Sequence, residues 1–499
     1  MTNFIIAKIA ELATQSPNRL CFDSEEKTMT YKELNDRSNA LANYFSTHLP
    51  KKQPVALYGG LDIEMIVGFI ACMKSGRPYI PIDKHTPANR LKMISAEAGE
   101  AAVLALAEWP LAEDERVITR EEYSHILLNT AVPNDTCCVS GDDIVYIIFT
   151  SGTTGKPKGV QISYTNLMSY LTWMLTDFHL EDGQRFLTQA PYSFDLSVMA
   201  VYPALTTGGC LVPLEKEVVD DFQKLFHVLP HLNIHVWVST PSLMEICLLS
   251  PEFRDEHHPE LSHFLFCGEE LPHTVAETLK NHFPQARVFN TYGPTEATVA
   301  VTSVEIDGNV LASHQRLPLG VPKPDTEVLI MDDCNQPQVE GEVGEIVIVG
   351  PSVSKGYINN AAKTDEAFFT YQGKQAYRTG DAGYIKHGLL FYSGRTDFQI
   401  KWHGYRMELG DIDCHLANLA YIRQACVVPR YRQHKVQQLV AYVVKQETAD
   451  PSPKRIKDDL GKTLMDYMIP QQFKFVDSLP LTSNGKIDRK YLINEVNSG

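Results

Sequence analysis

Short apolar runs rich in β-branched residues alternate with longer helical patterns along most of this chain, and this alternation constrains the fold most strongly. The run at residues 55–58 precedes a helical pattern at residues 63–74, and the run at residues 144–149 precedes another at residues 164–175. The sequence shows no repeat at a fixed period and no low-complexity tract. Strand–helix alternation of this kind predicts an α/β fold with mainly parallel sheets.

The pattern changes after about residue 341. Short strand-like runs at residues 345–349, 389–393 and 398–401 are separated by glycine-containing turns, which favours a more antiparallel portion. From about residue 398 the remaining chain is long enough for a small α+β domain, with helices expected at residues 411–420 and 455–464 and strands at residues 425–429 and 438–444. The stretch at residues 394–404 is the best candidate for a hinge between the two parts.

The chain is acidic overall, but its charge is unevenly distributed. Its 499 residues include 45 Lys and Arg against 61 Asp and Glu, a formal net charge of −16. That balance argues against general nucleic-acid binding or adhesion to an anionic membrane, both of which need basic surface. Residues 398–499 carry 15 basic and 11 acidic residues, a net of +4, which leaves 30 and 50, a net of −20, for the rest. The basic part is either ordinary solvated surface or a face that attracts an acidic protein.

Targeting and membrane signals are weak throughout the sequence. The N-terminal residues form a short amphipathic pattern without the basic region and long apolar region of a signal peptide. The most apolar runs, such as residues 66–73, are shorter than the about 20 residues that span a bilayer. The ten cysteines form no CxxC pair, which argues against a disulfide framework or a structural zinc site. We therefore expect a cytoplasmic protein without membrane insertion.

The sharpest local signal is a loop that directly follows the apolar run at residues 144–149. Its sequence, at residues 150–160, is Thr-Ser-Gly-Thr-Thr-Gly-Lys-Pro-Lys-Gly-Val. Glycines let backbone N–H groups approach phosphate oxygens, and hydroxyl and lysine side chains add donors and positive charge. The spacing differs from the Walker A loop and from GxGxxG. An isolated loop of this composition is more often a solvated turn, but two lysines after an apolar strand favour phosphate binding.

This loop resembles the phosphate loop of the adenylate-forming enzymes, which include acyl-CoA synthetases, the amino-acid adenylation domains of nonribosomal synthesis and relatives of firefly luciferase. Five further segments resemble the same family in the same order, at residues 74–83, 290–296, 377–381, 394–401 and 480–486. The resemblance covers the whole chain and implies the α/β fold of that family. It also implies a two-step reaction, in which a carboxylate attacks ATP to give an acyl-adenylate and a thiol then displaces AMP.

The resemblance implies a set of ATP-binding residues: Thr150, Ser151, Gly152, Thr153, Thr154, Gly155, Lys156, Lys158, Asn290, Tyr292, Gly293, Thr295, Asp381, Arg395 and Lys486. Within this set, Tyr292 would stack on adenine and Asn290 would lie near its exocyclic amine. Asp381 and Arg395 would contact the ribose, for which a carboxylate that accepts two hydrogen bonds is well suited. Glu296 would bind Mg²⁺, a hard cation that prefers oxygen ligands.

Lys486 lies in a lysine-rich turn near the C-terminus, where a lysine is ordinarily exposed surface. The resemblance implies instead that Lys486 is the catalytic residue, which bridges the substrate carboxylate and the α-phosphate as a fixed positive charge. It further implies a large ATP- and amino-acid-binding domain at residues 1–396 and a small mobile domain at residues 397–499. That domain would close for adenylation and rotate about a hinge at Asp397 for thioester formation.

Asp195 is the residue that discriminates between substrate classes. In amino-acid-activating members of the family, the matching carboxylate pairs with the α-ammonium of the substrate, although an Asp here could also simply cap a helix. Burying a carboxylate without a counter-charge costs free energy. Asp195 therefore argues against a simple fatty acid as the substrate, because a fatty acid has no ammonium group to pair with it. The other implied substrate-binding residues suggest a small and mostly apolar pocket: Leu196, Met199, Cys267, Thr291, Val299 and Ala300.

With Cys267 at its pocket position, the chain resembles one group in particular, the D-alanine–D-alanyl carrier protein ligases that supply D-alanine for teichoic acid modification. This implies D-alanine, ATP and Mg²⁺ as ligands, and a carrier protein with a phosphopantetheine thiol as the partner. Only thirteen residues follow Lys486, so we expect the carrier to be a separate protein. A lone cysteine is usually a buried structural residue. The alternatives are therefore an adenylation enzyme for another small amino acid, an acyl-CoA synthetase and a non-catalytic scaffold.

Overall fold

The computed structural model describes residues 3–111, 116–128, 138–152, 155–332, 334–402, 404–432, 435–447, 449–482 and 486–498 of the chain. Its strands are β1 Leu20–Asp23, β2 Thr28–Thr30, β3 Val55–Gly59, β4 Tyr79–Asp83, β5 Ala102–Ala105, β6 Val117–Ile118, β7 Ile144–Thr150, β8 Lys158–Ser163, β9 Arg185–Thr188, β10 Cys210–Pro213, β11 Val236–Ser239, β12 His263–Phe266, β13 Arg287–Tyr292, β14 Thr302–Glu305, β15 Val321–Pro322, β16 Glu327–Met331, β17 Gly344–Val349, β18 Phe368–Tyr371, β19 Lys374–Lys386, β20 Leu389–Arg395, β21 Gln399–Trp402, β22 Tyr405–Glu408, β23 Ile422–Arg432, β24 Lys435–Lys445 and β25 Gln472–Phe475.

The α-helices are α1 Phe4–Gln15, α2 Tyr31–His48, α3 Ile63–Lys74, α4 Ala88–Ala98, α5 Arg120–Ile126, α6 Tyr164–Asp177, α7 Val198–Thr206, α8 Lys216–Val219, α9 Phe222–Val228, α10 Pro241–Cys247, α11 His273–His282, α12 Gly308–Ser313, α13 Ala361–Ala367, α14 Leu409–Ala417, α15 Pro453–Leu460 and α16 Arg489–Asn497. Strands and helices alternate through most of the chain, and the predicted α/β class is confirmed.

Contacts along the chain divide it into two compact units. The first unit consists of Met1–Lys84, Ala98–Ile148 and Val160–Gly394. The second unit consists of His85–Glu97, Phe149–Gly159 and Arg395–Gly499. The loop at residues 150–160 therefore belongs for the most part to the second unit, together with the C-terminal part of the chain.

The first unit contains two sheets with parallel strands. The larger sheet has nine strands in the order β15-β14-β13-β12-β11-β9-β10-β1-β2, and the other has six in the order β6-β5-β3-β4-β7-β8. Strands β11, β12 and β13 pair in parallel, with Phe266 opposite both Ser239 and Asn290. Because parallel strands end at the same edge of a sheet, the residues that follow β12 and β13 lie side by side there.

Helix α3 is apolar along almost its whole length because it is buried on nearly every side. Every residue of α3 except Glu64 is buried, and the helix packs against β3 and β4. An apolar helix that is covered on all sides is expected in the core of a large domain. The preceding helix α2 begins with a capping box, in which Thr30 and Glu33 satisfy each other's backbone N–H groups.

The third sheet of the first unit is antiparallel, as the sequence predicts for the region after residue 341. Its strands follow the order β16-β17-β19-β18, and β20 pairs with β19. Both β16 and β19 run antiparallel to β17. Strand β17 alternates little between buried and exposed residues, because Ile346, Val347, Ile348 and Val349 are all buried. Such a strand belongs to the interior of its sheet.

The second unit contains a small α+β arrangement, which confirms the predicted class of the C-terminal part. The long hairpin of β23 and β24 is antiparallel, and β25 adds to β24 in parallel. The helix expected at residues 455–464 begins earlier and ends earlier, as α15. Ser452 accepts a hydrogen bond from the N–H of Arg455, and Pro453 occupies the first helical position. A capping serine followed by proline starts a helix at that point.

Across the described ranges, the nine cysteines are all free. Within the same ranges, no helix combines the length and the apolar character needed to cross a bilayer. A cluster of three or more His, Cys, Asp or Glu side chains suited to hold a metal ion is likewise absent from this part of the chain.

We predict that acid destabilises the first unit through three histidines near the start of β11 and β12. Burial lowers the pKa of His235, His258 and His263. In the unfolded chain these histidines become protonated as the pH falls through about 6.5. In the folded chain they stay neutral until a lower pH, because their pKa values are lowered. The unfolded state then binds more protons, so the melting temperature should fall between pH 7.5 and 5.5 in scanning calorimetry. His263→Gln should weaken this dependence, and an unchanged pH profile would contradict the prediction.

Candidate active site

Cys267 and Thr291 lie beside each other where β12 and β13 end. The Thr291 hydroxyl donates a hydrogen bond to the carbonyl of Phe266 at 2.8 Å. The Cys267 thiol lies 3.7 Å from the carbonyl of Val299. All of these residues are buried, so the structure brings together three of the residues expected to line the amino-acid pocket.

The segment after β13 has an unusual backbone. Thr298 and Val299 are both left-handed, with φ of 59° and 69°. This conformation is strained for β-branched residues and persists only where the surroundings enforce it. The Thr298 hydroxyl donates to the carbonyl of Ser352 at 2.7 Å, which holds the segment in place. A Cβ atom on Gly293 would lie 2.5 Å from the Cα of Ala300, so only glycine permits this close approach.

Asp195 begins a short 3-10 helix, Asp195–Ser197, that leads directly into α7. Its side chain is buried with Leu196 and Met199, and Asp195 itself is 7% exposed. A carboxylate this deeply buried requires a counter-charge or hydrogen bonds. The position therefore fits the proposed partner of an ammonium group.

Two tyrosines near these residues were not predicted from the sequence. Burial and then the charge of Asp195 raise the pKa of Tyr146 well above its ordinary value. Burial and then Cys267 raise the pKa of Tyr170, to which Tyr146 and Asp195 also contribute. Neither hydroxyl has a hydrogen-bond partner among the described residues. In the sequence, each tyrosine lies in an apolar run and resembles an ordinary core residue.

Three of the residues expected to bind adenine and ribose, Asn290, Tyr292 and Asp381, lie in the first unit. The Tyr292 hydroxyl donates to Oδ2 of Asp381 at 2.7 Å, and both residues are buried. The Asn290 side chain donates through Nδ2 to the carbonyl of Pro318 at 2.8 Å. Its Oδ1 is buried and has no partner in the part of the chain that the structure describes. An acceptor oriented in this way suits an exocyclic amine.

Glu296 lies in the 3-10 helix Thr295–Ala297 and is fully buried. Its Oε1 accepts a hydrogen bond of 2.8 Å from the hydroxyl of Tyr357, a residue that the sequence did not indicate. A single carboxylate fits Mg²⁺, because that ion usually keeps several waters and takes its remaining ligands from phosphates. The residues present are thus compatible with a metal ion held jointly with a nucleotide.

The phosphate loop lies in the second unit, where Thr150 ends β7, although Thr153 and Thr154 fall outside the described residues. Gly155 has a φ of 78°, a conformation that favours glycine, and its N–H donates to the carbonyl of Gly152 at 3.1 Å. A Cβ atom on Gly152 would lie 2.1 Å from the carbonyl oxygen of Lys156. The loop thus turns tightly, and the turn requires glycine at both positions.

Strand β22 holds the phosphate loop within the second unit. The Ser151 hydroxyl donates to the carbonyl of Arg406 at 3.2 Å and accepts from the N–H of Glu408 at 3.1 Å. Nζ of Lys158 lies 3.7 Å from Oε1 of Glu408. Lys156, in contrast, is exposed. The sequence did not single out Glu408, because its pairing with Lys158 joins residues far apart in the chain.

Arg395 and Asp397 form a two-pronged ion pair. Nε of Arg395 lies 2.8 Å from Oδ1 of Asp397, and Nη2 lies 2.5 Å from Oδ2. Oδ1 also accepts from the N–H of Gln399 at 3.0 Å. The residue expected to contact ribose and the residue expected to act as hinge are therefore direct partners.

Lys486 is exposed, and its backbone closes a turn with Thr482. The N–H of Thr482 donates to the carbonyl of Lys486 at 2.7 Å, and the N–H of Lys486 lies 3.3 Å from the Thr482 hydroxyl. The Lys486 side chain is therefore open to solvent at the surface of the second unit. Such a placement is compatible with a charge that meets its substrate during the reaction.

Comparisons with known proteins identify the class. The sequence model of the AMP-binding enzyme family matches residues 9–358, and that of the AMP-binding enzyme C-terminal domain matches residues 411–486. The chain therefore belongs to the AMP-binding enzyme family.

Curated relatives narrow this class. The chain is 52% identical to the D-alanine–D-alanyl carrier protein ligase of Lactiplantibacillus plantarum, over the full length of both chains. It is 44% identical to the enzyme of the same name from Listeria monocytogenes, again over both full chains. Within the family, the chain belongs to the group of these ligases, and the resemblance seen in the motifs is confirmed.

Solved structures agree in fold. The NRPS protein holo-PA1221, which contains adenylation and PCP domains, aligns with a TM-score of 0.83 and 26% identity over 99% of this chain and 84% of that one. The Vibrio cholerae adenylation domain AlmE, solved in complex with glycyl-adenosine-5'-phosphate, aligns with a TM-score of 0.83 and 24% identity over 99% of this chain and 97% of that one. The large and small parts of the chain thus share the architecture of adenylation enzymes.

We predict that Gly293→Ala destabilises the first unit by about 1–3 kcal/mol, because the added methyl group would overlap the backbone at Ala300. Urea unfolding would measure the change. Gly308→Ala is the matched control, since a Cβ atom at Gly308 meets nothing within 4 Å. Equal stability of the two variants would show that the segment after β13 is not held as described.

Proposed function

We propose that this protein activates D-alanine with ATP, releases pyrophosphate, and transfers the D-alanyl group to the phosphopantetheine thiol of a separate carrier protein. The observation that carries the proposal is the buried carboxylate of Asp195 in a region that also contains Cys267. The ligases to which the chain is similar across its full length carry this activity in their name. The chain is accordingly an ATP-dependent ligase of the adenylate-forming type.

Recognition of the amino acid rests on one charge and a small pocket. Asp195 pairs with the α-ammonium group, and that pairing offsets the cost of burying both charges. Cys267 and Val299, held 3.7 Å apart from sulfur to carbonyl, limit the space for a side chain. A pocket of this type discriminates one methylene by only about 1–3 kcal/mol, so glycine or D-serine should react slowly rather than not at all.

ATP recognition is assigned residue by residue. Tyr292 stacks on adenine, the free Oδ1 of Asn290 accepts from the exocyclic amine, and Asp381 accepts from the ribose hydroxyls. The phosphate loop and Lys158 bind the phosphates, and Arg395 contributes a second ribose contact. Glu296 would hold Mg²⁺, which would supply positive charge to the phosphates.

Charge neutralisation is the main requirement of the first step, because a carboxylate must approach a polyanion. An oxygen of the D-alanine carboxylate bonds to the α-phosphorus, the bond from that phosphorus to the bridging oxygen breaks, and pyrophosphate leaves. Lys486 lies between the two anions as a fixed cation and takes no proton. In the second step the thiol loses its proton to solvent and its sulfur bonds to the acyl carbon, while the bond from that carbon to the phosphate oxygen breaks and AMP leaves. We assign residues 397–499 as the domain that moves between steps, with Asp397 as hinge.

The partner and the setting follow from the same chemistry. A carrier protein that brings the thiol is supported by the adenylation and PCP domains found together in the structural neighbour. Exposed cations of the second unit, among them Arg430 and Arg432, offer a face to an acidic carrier. The use of ATP and the free cysteines are both consistent with a cytoplasmic protein. The D-alanyl group on the carrier would then be used for teichoic acid modification.

We predict that ATP–pyrophosphate exchange is fastest with D-alanine in a panel containing both alanine enantiomers, glycine, D-serine and a fatty acid. Asp195→Asn should raise the KM for D-alanine by about tenfold or more, since the ammonium loses its counter-charge. Fastest exchange with another amino acid would reassign the substrate. Exchange with the fatty acid alone would overturn the role of Asp195, and exchange with none would favour a scaffold.

We predict that Lys486→Ala nearly abolishes exchange but spares transfer from supplied D-alanyl-AMP to the carrier, because the lysine serves only the first step. Single-turnover assays of each half-reaction would measure this. Lys490→Ala is the control, since Lys490 is an exposed lysine of the same region. Equal loss of both half-reactions in Lys486→Ala would contradict the assignment.

A further inference from the structure

Two groups of the phosphate loop are engaged by one acidic residue that ends β22. Nζ of Lys158 lies 3.7 Å from Oε1 of Glu408, and the backbone N–H of Glu408 donates to the Ser151 hydroxyl at 3.1 Å. The side chains of Lys158 and Glu408 are only 13% and 9% exposed. Their attraction is therefore less screened by water and salt than that of a surface pair.

The Glu408 carboxylate is also fixed from its other side. In the antiparallel pair of β21 and β22, Gln399 lies opposite Glu408, and its Nε2 donates to Glu408 Oε1 at 2.8 Å. The Oε1 of Gln399 in turn accepts from Nε of Arg406 at 2.6 Å. This chain of contacts aims the carboxylate at Lys158 and keeps it there.

Gly155 shows how closely the loop approaches the second unit. A Cβ atom on Gly155 would lie 3.3 Å from Cβ of Cys414 in α14. The loop is thus supported by β22 at Ser151 and Lys158 and by α14 at Gly155. In this arrangement a carboxylate occupies the neighbourhood of a cation that the proposed function assigns to phosphate.

We propose that Glu408 is an internal competitor of pyrophosphate for Lys158, an inference that rests on the proposed function. A carboxylate and a phosphate are both anionic oxygen acceptors, and both form charge-assisted hydrogen bonds with an ammonium group. Pyrophosphate must displace Glu408 from Lys158 in order to bind. Once pyrophosphate has left, re-formation of the ion pair disfavours its return and so disfavours reversal of adenylation.

A purely structural role for Glu408 predicts the opposite change in pyrophosphate affinity. If Glu408 only held the loop in a binding shape, removing its charge would weaken pyrophosphate binding. If Glu408 competes with pyrophosphate for Lys158, removing its charge strengthens pyrophosphate binding. The reason is that two competing ligands lower each other's affinity by the same factor. The sign of the change in affinity therefore separates the two roles.

The test is titration calorimetry of inorganic pyrophosphate, in buffer with magnesium chloride, into the full-length protein. Glu408→Gln keeps the size of the side chain and an acceptor for Gln399, and should bind pyrophosphate about fivefold more tightly than wild type. Glu447→Gln removes the same charge from an exposed site of the second unit and should leave the affinity unchanged. Unchanged or weaker binding by Glu408→Gln would overturn the proposal.

A second comparison tests whether the effect acts through Lys158. In a Lys158→Met background, which binds pyrophosphate weakly, Glu408→Gln should add no further gain. A gain of the same size in that background would show a general charge effect and would overturn the pairing. Because the titrations contain no amino acid, failure of the D-alanine assignment would appear in the exchange assay and not here. Thermal unfolding of each variant checks that the fold is kept.

Discussion

The parallel register of β12 and β13 is the constraint on which the rest of the first unit's site depends. With Phe266 opposite Asn290, the chain leaves both strands at one edge, where Cys267 and Thr291 become neighbours. Backbone ladder bonds hold this register, so Thr291 lies in a fixed strand and Cys267 directly follows one. The left-handed residues Thr298 and Val299 then fold back over that edge. Strain is tolerated there because the surrounding sheet over-determines the path of the chain.

The charged residues assigned to the reaction are divided by sign between the two units. The three carboxylates, Asp195, Glu296 and Asp381, belong to the first unit, and the cations Lys156, Lys158, Arg395 and Lys486 belong to the second. In the proposed assignment, the carboxylates for the ammonium group, the metal ion and the ribose thus lie in the first unit, and the cations for the phosphates and the second ribose contact lie in the second. The cations themselves are partly engaged by Glu408 and Asp397. Under the proposed function, Lys158 and Arg395 would exchange these partners for the nucleotide.

Sequence patterns predicted much of the fold, because the burial of a helix or strand requires a recognisable pattern of apolar residues in its own sequence. Helix α3 was expected over the residues it occupies, since an apolar helix covered on nearly every side carries a continuous apolar pattern. The antiparallel sheet after residue 341 followed from short runs separated by glycine turns. The start of α15 was misplaced by two residues, because the cap at Ser452 acts through a single side-chain hydrogen bond. Tyr146, Tyr170, Tyr357 and Glu408 were missed, since nothing in their neighbourhood of the sequence distinguishes them from ordinary residues.

The sequence by itself determined the class of chemistry, because the glycine, hydroxyl and lysine content of a phosphate loop and the order of the family segments are local properties. It also predicts which carboxylate separates an amino acid from a fatty acid, since Asp195 lies within one short motif. Only the tertiary structure decided which groups oppose each other: Tyr292 with Asp381, Arg395 with Asp397, and Lys158 with Glu408. Two of these pairs join residues far apart in the chain, and the third depends on a backbone bend. Side-chain pairing is set by the folded path, which no local pattern encodes.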